Sequence, residues 1–200
     1  GLIETPVFAQ ETVAACKKGA PELAISVKTR LGYKKDVAEE WVNSLLEADI
    51  QALTMHARTI KDLSKVPARW DRIKDLAPLC TEKNVIFLGN GDVSSLEDGN
   101  KKVIESGCDG FMVGRGIFGN FWFFNPEVNV EDLSLGEKLQ ALLLLITRFE
   151  KRYGDIRSIG TLKKHIRGLV QGFEGAGEIR QEIAMCKTGE EVGQVINRHL

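Results

Sequence analysis

Four short apolar runs, each ending in polar or glycine residues, constrain this chain more than any other feature in it. The first is Ile25-Ser26-Val27-Lys28-Thr29-Arg30. The second is Ala52 to Met55, ending in His56-Ala57-Arg58-Thr59. The third is Asn84 to Leu88, closing on Gly89-Asn90-Gly91-Asp92, and the fourth is Gly110 to Val113, closing on Gly114-Arg115-Gly116. Successive runs leave room for one helix between them, which is the arithmetic of βα units in a parallel sheet. A doubly wound sheet and a barrel both satisfy it. The barrel fits better, because every run carries its polar or glycine residues at the C-terminal end, the rim on which barrel active sites sit. Four units make half of an eight-stranded barrel, and a half barrel exposes two parallel edges and an apolar interior.

The intervening segments read as helices. One is expected from about Asp36, with Asp36 and Glu39 at capping-box spacing and Ala38, Trp41, Val42, Leu45 and Leu46 on one face. A second spans roughly Trp70 to Leu79. A third is opened by Ser94 or Ser95 and buries Leu96, Val103 and Ile104. The two glycine-rich strand ends let the backbone turn sharply and let a ligand approach. Two in tandem, one carrying Arg115, suggest a phosphorylated cofactor, because the loops after a barrel's last strands commonly hold phosphate.

Beyond Pro126 strand patterns stop. Ser134 and Glu137 form a capping box before Leu139, Leu142, Leu143, Ile146 and Phe149. Further helices carry Leu162, Ile166, Leu169 and Val170, begin near Glu178, and open at Thr188 before Val192, Val195 and Ile196. The division expected is therefore residues 1–125, α/β, and 126–200, all-helical. Basic residues concentrate in this tail, with Arg148, Lys151, Arg152, Arg157, Lys163, Lys164 and Arg167 against Glu150 and Asp155. Lys163, Lys164 and Arg167 fall away from the apolar stripe. Two readings stand: a solvated helix face, or a surface for RNA phosphates.

The net charge of −1 gives no global attraction to nucleic acid, so such a partner must meet a local patch. The longest apolar stretch, Ala141 to Ile146, is too short to span a bilayer, and no segment resembles a signal peptide. The 4 cysteines, Cys16, Cys80, Cys108 and Cys186, show neither CxxC pairing nor zinc spacing, which implies reduced thiols in a cytoplasmic protein and no metal.

Val27-Lys28-Thr29-Arg30-Leu31-Gly32, His56-Ala57-Arg58-Thr59, Gly89-Asn90-Gly91-Asp92 and Gly114-Arg115-Gly116 come in an order and at spacings that resemble the flavin-dependent tRNA-dihydrouridine synthases. Lys163-Lys164-His165 and Gly175-Ala176-Gly177-Glu178-Ile179-Arg180 resemble that family's C-terminal helical domain. The resemblance implies the second half of a (βα)8 TIM barrel followed by a small helical domain. It implies FMN as cofactor, NADPH as reductant, and tRNA uridines reduced to 5,6-dihydrouridine. It places Lys28 by the flavin ring and His56 at the flavin or its phosphate. It assigns Asn90, Gly91 and Asp92 to the ribityl chain and phosphate, and Gly114 and Arg115 to the phosphate. Arg30 and Arg58 would face the substrate nucleotide, while Lys163, Lys164 and Arg167 would meet tRNA.

The stretch from Ile60 to Arg69 departs from the family's usual loop, which bears on which uridine is chosen. The family's cysteine acid follows the fourth barrel strand, so it is expected upstream of Gly1, and the chain reads as a fragment. None of the four cysteines here is placed to replace it, so no catalytic residue is assigned. Two other readings remain: an FMN barrel oxidoreductase acting on a small molecule, and a non-catalytic RNA-binding remnant.

Overall fold

The computed structural model describes residues 1–154 and 156–199; Asp155, Leu200 and the side chain of Lys164 lie outside that description. The chain divides into two compact units, residues 1–114 and 115–200.

The first unit opens with a 3-10 turn, Leu2–Glu4, and helix α1, Pro6–Gly19. Four strands then alternate with three helices: β1 Ser26–Arg30, α2 Ala38–Leu46, β2 Ala52–His56, α3 Trp70–Glu82, β3 Ile86–Asn90, α4 Leu96–Ser106 and β4 Gly110–Met112. All pairings are parallel and the strand order is β1-β2-β3-β4. Doubly wound sheets reverse order at a switch point and carry helices on both faces. Here the order is sequential and all three following helices pack on one face. The indole N–H of Trp41 on α2 donates to Thr29 Oγ1 at 2.9 Å, the Trp70 ring of α3 covers Gly89, and Gly99 of α4 lies against the Phe111 ring. This is the αβ layering of a barrel, and four of its eight units are present.

Register decides which residues share a face. Ser26, Lys28 and Arg30 lie on the face of β1 turned away from the helices, with Ala52, Thr54 and His56, then Ile86, Leu88 and Asn90 as partners across the sheet. The opposite face carries Leu53, Met55 and Phe87, each at most 1% exposed, packed with Leu45, Ile73 and Leu76 of the helices. Strand periodicity of two thus separates the core from the face that a closed barrel turns inward.

Two local expectations are corrected. Asp36 does not cap α2: Val37 is the N-cap, and Asp36 Oδ1 accepts from the Ala38 amide at 3.1 Å. Its other oxygen accepts from Arg72 Nε at 3.0 Å, which draws the carboxylate toward α3. Ile104 is 82% exposed rather than buried. A Cβ on Gly99 would come within 2.5 Å of the Phe111 ring, so α4 must present Gly99 to the sheet. That phase brings Val103 and Ser106 inward with it and leaves Ile104 outside.

The second unit begins with the turn Arg115–Ile117 and continues through α5 Leu135–Tyr153, the turn Ile159–Leu162, α6 Lys163–Leu169, α7 Ala176–Met185 and α8 Gly189–Arg198. Ser134 and Glu137 make the reciprocal capping box, and Thr188 caps α8 by accepting from the Glu191 amide. Leu139, Leu142, Ile146, Val170, Ile183, Val192 and Ile196 fill its core, and Phe121 and Trp122 pack against them. Gly119 and Gly168 allow the segment after the first turn to cross α6. A Cβ on Gly119 would lie 2.3 Å from the Gly168 carbonyl oxygen.

Candidate functional site

The C-terminal ends of β1, β2 and β3 gather most of the residues that the motifs single out. Arg30, His56 and Asn90 stand in one register row, with Lys28 one inward position below Arg30. Three cations, Lys28, Arg30 and Arg58, therefore act on His56, against the single carboxylate of Asp92. Burial first, and then Arg30, Lys28 and Arg58, push the His56 pKa down to about 4. Lys28 is lowered from its ordinary value by the same causes, burial and then Arg30. The imidazole is thus neutral at pH 7. Arg58 Nη1 lies 3.3 Å from His56 Nε2, and a guanidinium can only donate, so Nε2 accepts and the proton sits on Nδ1. A neutral histidine donor among excess cations is an environment that receives an anion.

Arg58 is not displayed to a substrate. It is 3% exposed, and its guanidinium is engaged within its own unit. Nε donates to the Val66 carbonyl at 2.6 Å and Nη2 to Asp92 Oδ2 at 2.5 Å, besides the contact with His56. The guanidinium expected to face the substrate nucleotide is therefore committed, in this geometry, to its own neighbours. It ties the loop after β2 to the turn after β3, where Gly91 has φ +123° and Asp92 φ +49°. The Ala68 amide donates to the same Asp92 oxygen at 2.8 Å. Asp92 and Asn90 likewise make hydrogen bonds within the unit. Asn90, 8% exposed, donates from Nδ2 to the Met112 carbonyl at 2.7 Å, joining β3 to β4. Arg30 donates to the Thr59 carbonyl at 3.0 Å and keeps part of its surface exposed.

The glycines of the third strand end differ in purpose. A Cβ on Gly89 would lie 2.3 Å from the Trp70 ring, so this glycine admits a helix side chain rather than a ligand. Trp70 Nε1 then donates to the Gly91 carbonyl at 2.8 Å and steadies the turn. At Gly114 a Cβ would meet nothing within 4 Å, which leaves that backbone open to approach. Arg115, exposed, starts the second unit. Lys163 and Arg167 are exposed on α6.

A second ionic group escaped the sequence reading. Asp36 joins Arg72 and Arg69, and Arg69 Nη2 reaches Asp62 at 2.7 Å, while Asp62 accepts from the Thr59 amide at 2.7 Å. These contacts pin the loop from Ala57 to Arg69. Its only sequence signal is the alternation of Asp and Arg there, which also fits a solvated loop. A cavity of about 600 Å³ runs along β1 beside this rim, lined in part by Lys28, Arg30, Trp41 and Cys16. The four cysteines are free: Cys16 exposed on α1, Cys80 at the end of α3, Cys108 just before β4, and Cys186 after α7. Burial and then Asp109 push the Cys80 thiol up to about 12. No cluster of metal-ligating side chains occurs among the described residues.

Fold and site together define an α/β-barrel protein with a cation-rich rim, followed in the chain by a helical unit. The chain matches the family described as dihydrouridine synthase over residues 1–200, and it belongs to that family. It is 35% identical to a "Probable tRNA-dihydrouridine synthase" of Staphylococcus epidermidis, over 98% of this chain and 60% of that protein. It is 36% identical to one from Staphylococcus aureus, over 92% of this chain and 56% of the relative. A "Probable tRNA-dihydrouridine synthase 2" of Bacillus subtilis is 35% identical over 98% of this chain and 61% of its own length. The chain thus spans about 60% of the length of these curated relatives.

Proposed function

We propose that this chain acts in the FMN-dependent reduction of tRNA uridine to 5,6-dihydrouridine, with NADPH as reductant. The observation that carries the reading is the register row Arg30–His56–Asn90, with Lys28 beneath it, in a chain matched to the family from end to end. The residues fit a flavin nucleotide: cations exceed carboxylates around a neutral histidine, and the backbone at Gly114 is unobstructed. Lys28 and His56 would face the flavin, the Gly91 turn and Gly114 would hold its ribityl-phosphate arm, and the motif position of Arg115 assigns it to the phosphate. When bound, FMN supplies hydride to the uracil ring after taking it from the nicotinamide.

The chain's own residues then have distinct tasks. The ammonium of Lys28 stabilises negative charge on a bound anion. His56 offers a hydrogen bond from Nδ1 while Arg58 occupies Nε2 and orients the ring. Arg30, partly exposed, is the rim cation left for the substrate nucleotide. The proton for uracil C5 is assigned to no residue of this chain: none of the four cysteines lies on a strand end, and Cys16, which lines the cavity along β1, belongs to α1. Lys163 and Arg167, with the motif position of Lys164, assign a basic surface for tRNA to α6, which an oxidoreductase of free pyrimidines has no reason to carry. Four free thiols and a tRNA substrate suit the cytoplasm; no described helix is long and apolar enough to cross a membrane.

The test is NADPH oxidation by the FMN-loaded protein with unmodified tRNA, scored by mass spectrometry of the digested nucleosides. Dihydrouridine should appear in step with NADPH consumed. Turnover with a free pyrimidine, and none with tRNA, would overturn the substrate assignment.

A further inference from the structure

The helical unit contains a cavity that the barrel rim does not use. It measures about 200 Å³ and lies between the turn Ile159–Leu162, α6 and α7. Ile159, Ile166 and Ile183 form its apolar wall, at 4%, 7% and 2% exposure, and all three belong to the unit's core. Lys163, Arg167 and Arg180 line the same cavity, and no carboxylate does among the described residues. Arg180 is held in place, with Nη1 donating to the Val170 carbonyl at 2.7 Å. Glu182, the acid nearest in sequence on α7, is bound to Arg198 and His199.

A solvated helix face spreads its cations over a convex surface. Here they ring a concavity with a greasy floor, which suits a ligand that is flat and apolar in one part and anionic in another. The volume falls below the roughly 300–1,000 Å³ of sites that enclose whole cofactors, so one ring system is what it admits. We infer that this cavity receives a single unstacked nucleotide of the bound RNA, the base against the isoleucines and the flanking phosphates on Lys163 and Arg167. The inference rests on the reading that tRNA is the partner. RNA loops present unstacked bases, which proteins take up on apolar, aromatic or guanidinium surfaces. Lys and Arg contacts to phosphate position the strand without reading sequence. No side-chain acceptor stronger than the Cys186 sulfur occurs in the described lining, so the donor groups of a base find no strong partner there. Cys186 in the lining is kept as a neutral thiol, since burial, followed by Glu191, raises its pKa.

The experiment uses the full chain, an unmodified tRNA transcript, and two kinds of variant. Ala184 lines the cavity and is exposed, so Ala184→Phe can fill the space from its mouth without entering the core. It should weaken tRNA binding about tenfold or more with the salt slope unchanged, because the apolar seat of the base is lost and no phosphate contact is. Ala184→Ser should bind as the wild type does. Lys163→Ala with Arg167→Ala should flatten the salt slope by about 1.5, as expected for two lost phosphate contacts. Uridine monophosphate should shift the Ile183 methyl resonances of the wild type and leave those of the Ala184→Phe variant unmoved. Wild-type affinity in Ala184→Phe, or equal loss in Ala184→Ser, overturns the cavity assignment while tRNA binding stands. Methyl shifts produced by an alkyl phosphate but not by the nucleotide overturn it in favour of a lipid-like occupant. Failure of the wild type to bind tRNA at any salt concentration removes the underlying partner instead.

Discussion

Arg58 and Asp92 form an unequal pair. The Arg58 side chain is 4% exposed and that of Asp92 is 40%. Removing the acid leaves a buried guanidinium without the carboxylate in contact with it, whereas removing the arginine leaves a carboxylate that water reaches. Asp92→Asn should therefore cost about 3 kcal/mol, near the lower end for breaking a buried pair, and Arg58→Gln clearly less. Asn tolerates the positive φ that Asp92 adopts, so backbone strain does not confuse the comparison. Urea denaturation of both variants measures the order. His56 gives a second outcome. Its pKa of about 4 when folded, against 6.5 as the ordinary value, means that the unfolded chain binds more protons between those limits. Stability from this residue is complete above about pH 6.5, declines as pH falls toward 4, and declines no further below. His56→Gln should flatten that acid limb, and Arg58→Gln should raise the His56 pKa in an NMR titration, since one cation is gone.

Gly89 and Gly91 show what an element can and cannot announce in its sequence. The βα alternation was legible because strand and helix impose different apolar periods, and the polar strand ends marked the rim. Lys28, Arg30, His56 and Asn90 came together there for that reason. The purpose of each glycine was not legible, because close approach by a ligand and close approach by an indole demand the same missing Cβ. The Arg58–Asp92 pair was hidden by its sequence separation, and the phase of α4 by the need to fit Gly99 against Phe111. Gly89→Ala brings a methyl group to 2.3 Å from the Trp70 ring, which is itself tethered to the Gly91 carbonyl. The ring must move and the turn must follow. A loss of about 1–3 kcal/mol is expected from overpacking. The displacement should also weaken FMN binding, read by quenching of flavin fluorescence. Trp70→Phe, which shortens the ring and removes the tether, should partly restore stability to the Ala variant without restoring flavin affinity.

The first unit presents to water surfaces that a closed barrel encloses. Ile86, on the face turned away from the helices, is 54% exposed, and β1 and β4 each have one strand neighbour among the described residues. Unpaired parallel edges beside an exposed apolar residue favour pairing with another chain. The net charge of −1 provides little repulsion to oppose it. These 200 residues, purified by themselves, should therefore self-associate with rising concentration. Ile86→Lys places a charge on that face, where no core contact is lost, and should shift sedimentation toward monomer. Amide exchange in α5 to α8 should stay as in the wild type, because that unit has its own core. Monomeric behaviour of the unaltered chain at high concentration would show that the exposed face is covered from within the chain. Ile86→Lys would then lower the unfolding temperature rather than the association constant, and the two outcomes separate cleanly in one sedimentation and melting series.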